Sequence, residues 1–353
     1  MKVCFLCFTS SEESGSGMDT YTWNIISRPL EKTQFLVAQY GRNSIPEWLI
    51  KEFIIPQDSL KLLKVDADVY HAVSPVATKI ALLARKSPVI TTVHDLIPNS
   101  LPKTANYYEI HSKKRRWLNT WYWGFLKKSD YFIATSEKNR KDLIRILKIK
   151  PEKISVVFYG VDHQRFHSSY RTDYHNPKNI LYLGALDPGK GIYDVVQAFH
   201  FVSKSLKNVN LLIGGRGKAL YAVTNMVNRL GLEDRVKFLG FVPQAKLSYY
   251  YGLSDVFVFP SYYGFHLMFL NAMACGLPVI AYDVGYGREY LGDAGLLVKP
   301  GAIHQLAETI VSILTDQEKY VNMSKAAIER AKFFSWAKMA EETMDVYKAV
   351  ISR

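Results

Sequence analysis

At 353 residues the chain is longer than one ordinary hydrophobic core requires, which predicts two domains. It is 48% hydrophobic and 22% charged, a globular composition, and no apolar run reaches the ~20 residues that span a bilayer. Three cysteines cannot form a disulfide framework, so the small stapled secreted folds are excluded and buried free thiols in a reducing, cytoplasmic setting are expected.

In chain order, "MKVCFLCFTS" reads as a first strand rather than a signal peptide, because its apolar stretch is short and lacks a small-residue cleavage site. Cys4 and Cys7 spell C-x-x-C, but three apart on a strand they point to opposite faces. The loop "TSSEESGSGM" follows, then strands "QFLVAQY", "DVYHAV" and "PVITTVHD". Asp66 and Asp68 resemble a D-x-D metal motif, but they precede a strand and read as a turn.

Net charge is +13, and +9 of it falls between Lys103 and Lys153. There "KKRRWLNTWYWGFLKK" (113–128) interleaves basic and aromatic residues. Such a helix fits either a buried aromatic face with solvated lysines or contact with an anionic membrane surface. Nucleic acid is not taken as a partner. Strands "YFIAT" and "KISVVF" frame a helix, "SEKNRKDLIRILK", with Ser136 as its N-cap.

Residues 160–178 are polar and turn-rich and read as a linker. Beyond it come strands "NILYLG", "NLLIGG", "RVKFLG", "VFVFP", "PVIA" and "GLLV", with helices such as "GIYDVVQAFHFVSKSL" between them. Continuous apolar strands alternating with helices predict α/β architecture: two Rossmann-like domains with parallel sheets facing a central cleft. The expected division is 1–165 and 166–334, with the last helix, 335–353, returning to the first domain.

Open α/β sheets bind ligands at the C-terminal ends of their strands, so the loops there are the candidates. "GALDPGKG" places Lys190 before a helix, where backbone N–H groups and an ammonium make an anion site. "GGRGK" adds Arg216 at the next turn, and together the two loops describe a diphosphate pocket. "PSYYGFHLM" is a third such loop, with Gly264 able to take positive φ. "HDLIP" puts His94 and Asp95 at a strand end in the first domain. No metal-ligand cluster is expected.

Taken with "HDLIP", "KISVVFYGVD" and "DAGLLVKPG", the stretch "SYYGFHLMFLNAMACGLPVIA" resembles the retaining family-4 glycosyltransferases of GT-B fold, and the resemblance spans most of the chain. It implies a nucleotide-sugar donor, UDP- or GDP-linked, held mainly by the C-terminal domain. It also implies a glycan, lipid-linked or small-molecule acceptor held mainly by the N-terminal one, with no cofactor or metal. Lys190 matches the lysine that binds the donor diphosphate, and His94 a histidine beside the transferred sugar. Gly15 to Gly17 match the loop after strand one, and Gly264 and Phe265 the loop over the phosphates.

Departures are as informative. Tyr263 and Asn271 stand where the family has two glutamates, His266 where it usually has glycine, and Ala185 where many members have an arginine. Asn271 can still offer hydrogen bonds to a ribose, whereas Tyr263 carries no charge at neutral pH. Two functions stay open: a retaining hexosyltransferase with an atypical donor site, or a non-catalytic GT-B module that binds a nucleotide, a sugar or a partner.

Overall fold

A computed structural model of the chain describes residues 1–7, 17–28, 33–39, 62–96, 123–168, 173–264 and 267–352. They form two units whose boundary falls between Gly160 and Val161, inside the expected linker, and again between Ser335 and Trp336.

The first unit carries a parallel sheet in the order β2-β1-β3-β4-β5-β6. Its strands are β1 (Lys2–Cys7), β2 (Gln34–Gln39), β3 (Val69–Ala72), β4 (Val89–Val93), β5 (Tyr131–Ala134) and β6 (Ile154–Val156). Strands β3, β4 and β5 are buried along their whole length, as strands covered on both faces must be, and the polar side chains they carry, His71, Thr91 and Thr92, are hydrogen-bonded in the interior. Helix α1 (Gly17–Ile26) follows β1, α2 (Pro75–Leu83) follows β3 and α3 (Glu137–Leu147) follows β5. Two of these starts are set by serine caps. Ser74 Oγ accepts from Ala77 N–H at 3.1 Å and Ser136 Oγ from Asn139 N–H at 3.0 Å, each cap contributing about 1 kcal/mol. The D-x-D segment is a clasp: Asp68 takes the backbone N–H of Lys2 at 2.7 Å and returns its own N–H to the Lys2 carbonyl. Cys4, Cys7 and Cys275 are buried free thiols, and burial pushes Cys4 up to about 11 and Cys7 to about 12.

The second unit repeats the plan with the order β12-β11-β10-β7-β8-β9, again parallel. Here β7 (Lys178–Leu183), β8 (Val209–Gly214) and β9 (Val236–Gly240) run outward on one side of β7. The chain then returns to lay β10 (Val256–Phe259), β11 (Val279–Tyr282) and β12 (Gly295–Val298) on its other side. Helices α4 (Ile192–Ser205), α5 (Leu220–Arg229), α6 (Gln244–Gly252), α7 (Leu267–Ala274), α8 (Tyr286–Leu291), α9 (Ile303–Thr315) and α10 (Gln317–Ala331) alternate with them. The strand order therefore reverses between β7 and β10, whose register pairs Ile180 with Val256 and Leu181 with Phe257. At such a switch point the two outgoing loops diverge and leave room for a ligand.

The last helix, α11 (Trp336–Ile351), belongs to the first unit and packs against α1. It buries Trp336, Met339, Met344 and Tyr347, each worth about 1.5–3 kcal/mol of apolar transfer when fully covered. Polar pins fix its rotation. Tyr347 Oη bonds Nδ1 of the buried His71, whose Nε2 meets Thr92 Oγ1 at 2.7 Å, and Thr343 bonds Tyr21. In the second unit Val161 bridges Ser335, and His163 Nε2 donates to the Phe334 carbonyl at 2.9 Å, so incoming and outgoing chain are stitched together there. Among the described residues no helix is long and apolar enough to cross a membrane, and no cluster of three His, Cys, Asp or Glu side chains could hold a metal ion.

Candidate active site

The loops after β7 and β10 flank the switch point of the second sheet, and they hold Lys190 and Tyr263. After β7 the chain makes a short 3₁₀ turn, Pro188–Lys190, capped by Asp187 Oδ1, which accepts from Gly189 N–H at 2.9 Å. Gly191 then takes φ of +73° and starts α4. No other residue fits there. A Cβ would lie 2.1 Å from the Pro260 carbonyl oxygen, so the glycine lets the β7 and β10 loops touch backbone to backbone. Tyr262 N–H donates to the Gly189 carbonyl at 3.0 Å across the same contact, and Ser261 Oγ donates to the Tyr263 carbonyl at 2.8 Å.

Lys190 Nζ sits 3.7 Å from the centre of the Tyr263 ring. The aromatic face holds the ammonium by a cation–π attraction worth about 0.5–2 kcal/mol. Lys190 ends the turn that leads into α4, whose first N–H groups have no intrahelical acceptors, a combination of charge and donors that suits an anion. Gly264, with φ of +75°, follows Tyr263 in its loop.

The "GGRGK" loop is laced to the first: Leu186 N–H donates to the Arg216 carbonyl at 2.9 Å and Ala219 N–H to the Leu186 carbonyl at 3.0 Å. Two charges there are partly committed. The Arg216 guanidinium lies 5.1 Å from the Phe241 ring centre, and Lys218 Nζ is 3.4 Å from Asp187 Oδ2. Arg216 thus has its guanidinium over an aromatic ring beside the loop that carries Ala185. Asn271 lies on α7, where its side chain bonds the buried phenol of Tyr251.

Beneath the loops is a group that sequence reading missed. Asp194, in the first turn of α4, accepts from Tyr262 Oη at 2.6 Å and from Tyr282 Oη at 2.8 Å, both on Oδ2. Burial raises its carboxyl above the ordinary range and the two phenols pull it partly back. The clamp ties α4 to the β10 loop and to β11.

In the first unit, His94 follows the end of β4. Its Nδ1 bonds Tyr159 Oη, its ring meets the edge of Tyr21 at 5.1 Å, and Asn139 Nδ2 holds its carbonyl at 2.7 Å. Nε2 is buried and makes no hydrogen bond of normal geometry. Burial lowers the imidazole to about 4, and the Val73 carbonyl near the ring offsets this only weakly. The ring is therefore neutral at physiological pH. Tyr159 was not foreseen, because 65 residues separate it from His94 and only the sheet brings them together.

The structure thus brings Lys190, Tyr263 and Gly264 to one surface, sets Arg216 in the loop beside it, puts Asn271 on α7 and His94 in the first unit. Gly17 opens α1. Gly15, Phe265, His266 and the basic residues 113–116 lie outside the described residues.

Two family models match the chain: "Glycosyltransferase Family 4" over 29–165 and "Glycosyl transferases group 1" over 163–330. Among curated relatives, the O-antigen chain mannosyltransferase B of Escherichia coli is 27% identical over 278 residues, spanning 75% of this chain and 71% of the relative. A D-inositol 3-phosphate glycosyltransferase of Corynebacterium glutamicum is 28% identical over 314 residues, spanning 82% and 74%. Among solved structures, sucrose-phosphate synthase from Thermosynechococcus elongatus superposes with a TM-score of 0.80 at 22% identity, covering both chains completely. Anabaena Alr3699/HepE in complex with UDP and glucose gives 0.78 at 18% identity over 99% of each chain. Two six-stranded parallel sheets, the loop chemistry and both family models lead to one conclusion: the chain belongs to the family-4 glycosyltransferases of GT-B fold.

Proposed function

We propose that this glycosyltransferase moves a hexose from a UDP- or GDP-sugar to a glycan, lipid-linked or small-molecule acceptor with retention of anomeric configuration and without a metal ion. The observation that carries the reading is Lys190. It stands in the turn that leads into α4 at the sheet's switch point, where a diphosphate would bring the charge that an ammonium and a helix start are suited to neutralise. Donor chemistry finds support in Anabaena Alr3699/HepE, solved with UDP-glucose. The wide acceptor class follows the relatives, named for O-antigen chains and for D-inositol 3-phosphate.

In the proposed reaction the donor's anomeric bond to phosphate breaks as the acceptor hydroxyl attacks from the same face. The leaving phosphate takes the hydroxyl's proton, and the growing charge on it is steadied by Lys190 and the backbone N–H groups of α4. Arg216 adds positive charge beside the same loops. His94 stands beside the transferred sugar as a neutral hydrogen-bonding group. Tyr263 and Asn271 serve as uncharged contacts to sugar and ribose in place of two carboxylates. For 113–128 we propose peripheral contact with an anionic membrane face from the cytoplasmic side.

A second reading, a non-catalytic nucleotide- or sugar-binding module, is motivated by the Tyr263 ring lying against Lys190 where the resemblance expects a carboxylate. Incubation with a panel of UDP- and GDP-sugars plus an acceptor extract distinguishes the two. Nucleotide release supports transfer; calorimetric donor binding without release or hydrolysis supports the binding module. Neither binding nor release of any UDP or GDP species would sink both.

A further inference from the structure

Behind His94 lies a run of hydrogen bonds whose direction can be worked out from its first member. The Asn139 side-chain nitrogen faces three oxygens: the His94 carbonyl at 2.7 Å, the Val93 carbonyl at 3.2 Å and Thr135 Oγ1 at 2.9 Å. Carbonyls only accept, so the amide presents its NH₂ to all three, and Thr135 Oγ1 receives a hydrogen. Thr135's own O–H has the same carbonyls at 3.3 and 3.5 Å, both long and the nearer already served by Asn139. Its other partner is the phenol of Tyr159. A phenol O–H, more acidic than an imidazole N–H, is the better donor between the two, and imidazole nitrogen is the better acceptor. Each hydroxyl has a single hydrogen to pass on, so the run reads Asn139 to Thr135 to Tyr159 to His94.

We propose that Tyr159 is a positioning residue that donates to Nδ1 of His94 and so fixes the imidazole as the tautomer with its hydrogen on Nε2, the buried ring nitrogen that makes no hydrogen bond of normal geometry. The inference rests on the proposed role of His94 beside the transferred sugar, and it says which form of His94 stands there: the neutral imidazole with its hydrogen on Nε2. The ring has little freedom to do otherwise. Tyr21 meets it edge-on, itself anchored by Thr92 at 2.9 Å, and Tyr159 is backed by Trp336 of α11, with ring centres 6.5 Å apart. A carboxylate at Nδ1 could only accept, which would hold the opposite tautomer, invite protonation and leave the Nε2–H form unfixed. A buried phenol fixes it while leaving the ring neutral.

The test is ¹⁵N-histidine NMR on the unliganded protein, joined to steady-state kinetics. The wild-type ring of His94, assigned with His94→Gln, is expected to show a pyrrole-type Nε2 and a pyridine-type Nδ1. Tyr159→Phe should average the two signals and lower kcat about tenfold, the worth of one neutral hydrogen bond, with the donor KM unchanged. A wild-type ring carrying its hydrogen on Nδ1 overturns the proposal without any variant. So does a Tyr159→Phe protein that keeps the wild-type tautomer and kcat. Full turnover in His94→Ala would instead remove His94 from the transfer reaction, and the tautomer measurement would still decide what Tyr159 does.

Discussion

Two imidazoles in the first unit, His71 fully buried and His94 partly so, should make it sensitive to mild acid. Burial lowers His71 to about 3 and His94 to about 4, from an ordinary 6.5. The unfolded chain accepts protons on both below pH 6.5 while the folded one refuses them. Their contribution is thus complete above that pH and is lost as pH falls toward 4. Integrated from pH 7 to 5, each imidazole withdraws about 2 kcal/mol, together about 4 kcal/mol out of the ~5–15 typical of a domain. Urea unfolding at the two pH values reads this directly. None of the six tryptophans falls within 161–335, so their fluorescence follows the first unit. The raised carboxyls of Asp194 and Glu342 act in the opposite sense, and they cancel when wild type is compared with His94→Gln. That variant should lose about 2 kcal/mol less than wild type between pH 7 and 5. Equal losses in the two proteins would refute the account of His94 as a ring held neutral by its surroundings.

Lys190→Met should reduce turnover by about 10²-fold or more while weakening donor binding less, because the leaving charge peaks in the transition state; initial rates across donor concentrations separate the effects. Gly191→Ala must accommodate φ of +73° and a Cβ 2.1 Å from the Pro260 oxygen. It should cost about 1–3 kcal/mol of stability in the second unit and weaken UDP or GDP binding by calorimetry. Replacing Lys113, Lys114, Arg115 and Arg116 with serine should abolish cosedimentation with anionic liposomes, since each basic group contributes about 1 kcal/mol near such a surface. Unchanged cosedimentation leaves that segment as ordinary surface.

Strands were legible because parallel sheets covered on both faces favour apolar and β-branched runs, as in "VITTV" and "VFVF", and the polar turns between them mark the ends. The Ser136 cap was legible for a similar reason, since a serine before an amphipathic run leaves little else for its hydroxyl to do. Lys190 and Tyr263 stand in loops that topology alone assigns to a switch point. What the sequence hides is how side chains choose partners across strands. Asp194 reaches Tyr262 and Tyr282 over 68 and 88 residues, and Asn271 turns toward Tyr251. Such pairs depend on sheet register and on the pitch of a helix, neither of which leaves a local pattern.

The helix that closes the first unit is made after the whole of the second. On a ribosome, β1 to β6 emerge with His71 and Tyr21 still lacking Tyr347 and Thr343, and the whole of 161–335 is synthesised before those partners appear. Nascent chains generally fold domain by domain. Here the domain begun first must wait, its α11 face uncovered, while the one begun second can finish. A chain halted just before α11, after residue 335, would therefore carry a complete second unit and an unfinished first one. Quality control would meet it as an exposed apolar seam along α1 and β3 rather than as a shortened but sound protein.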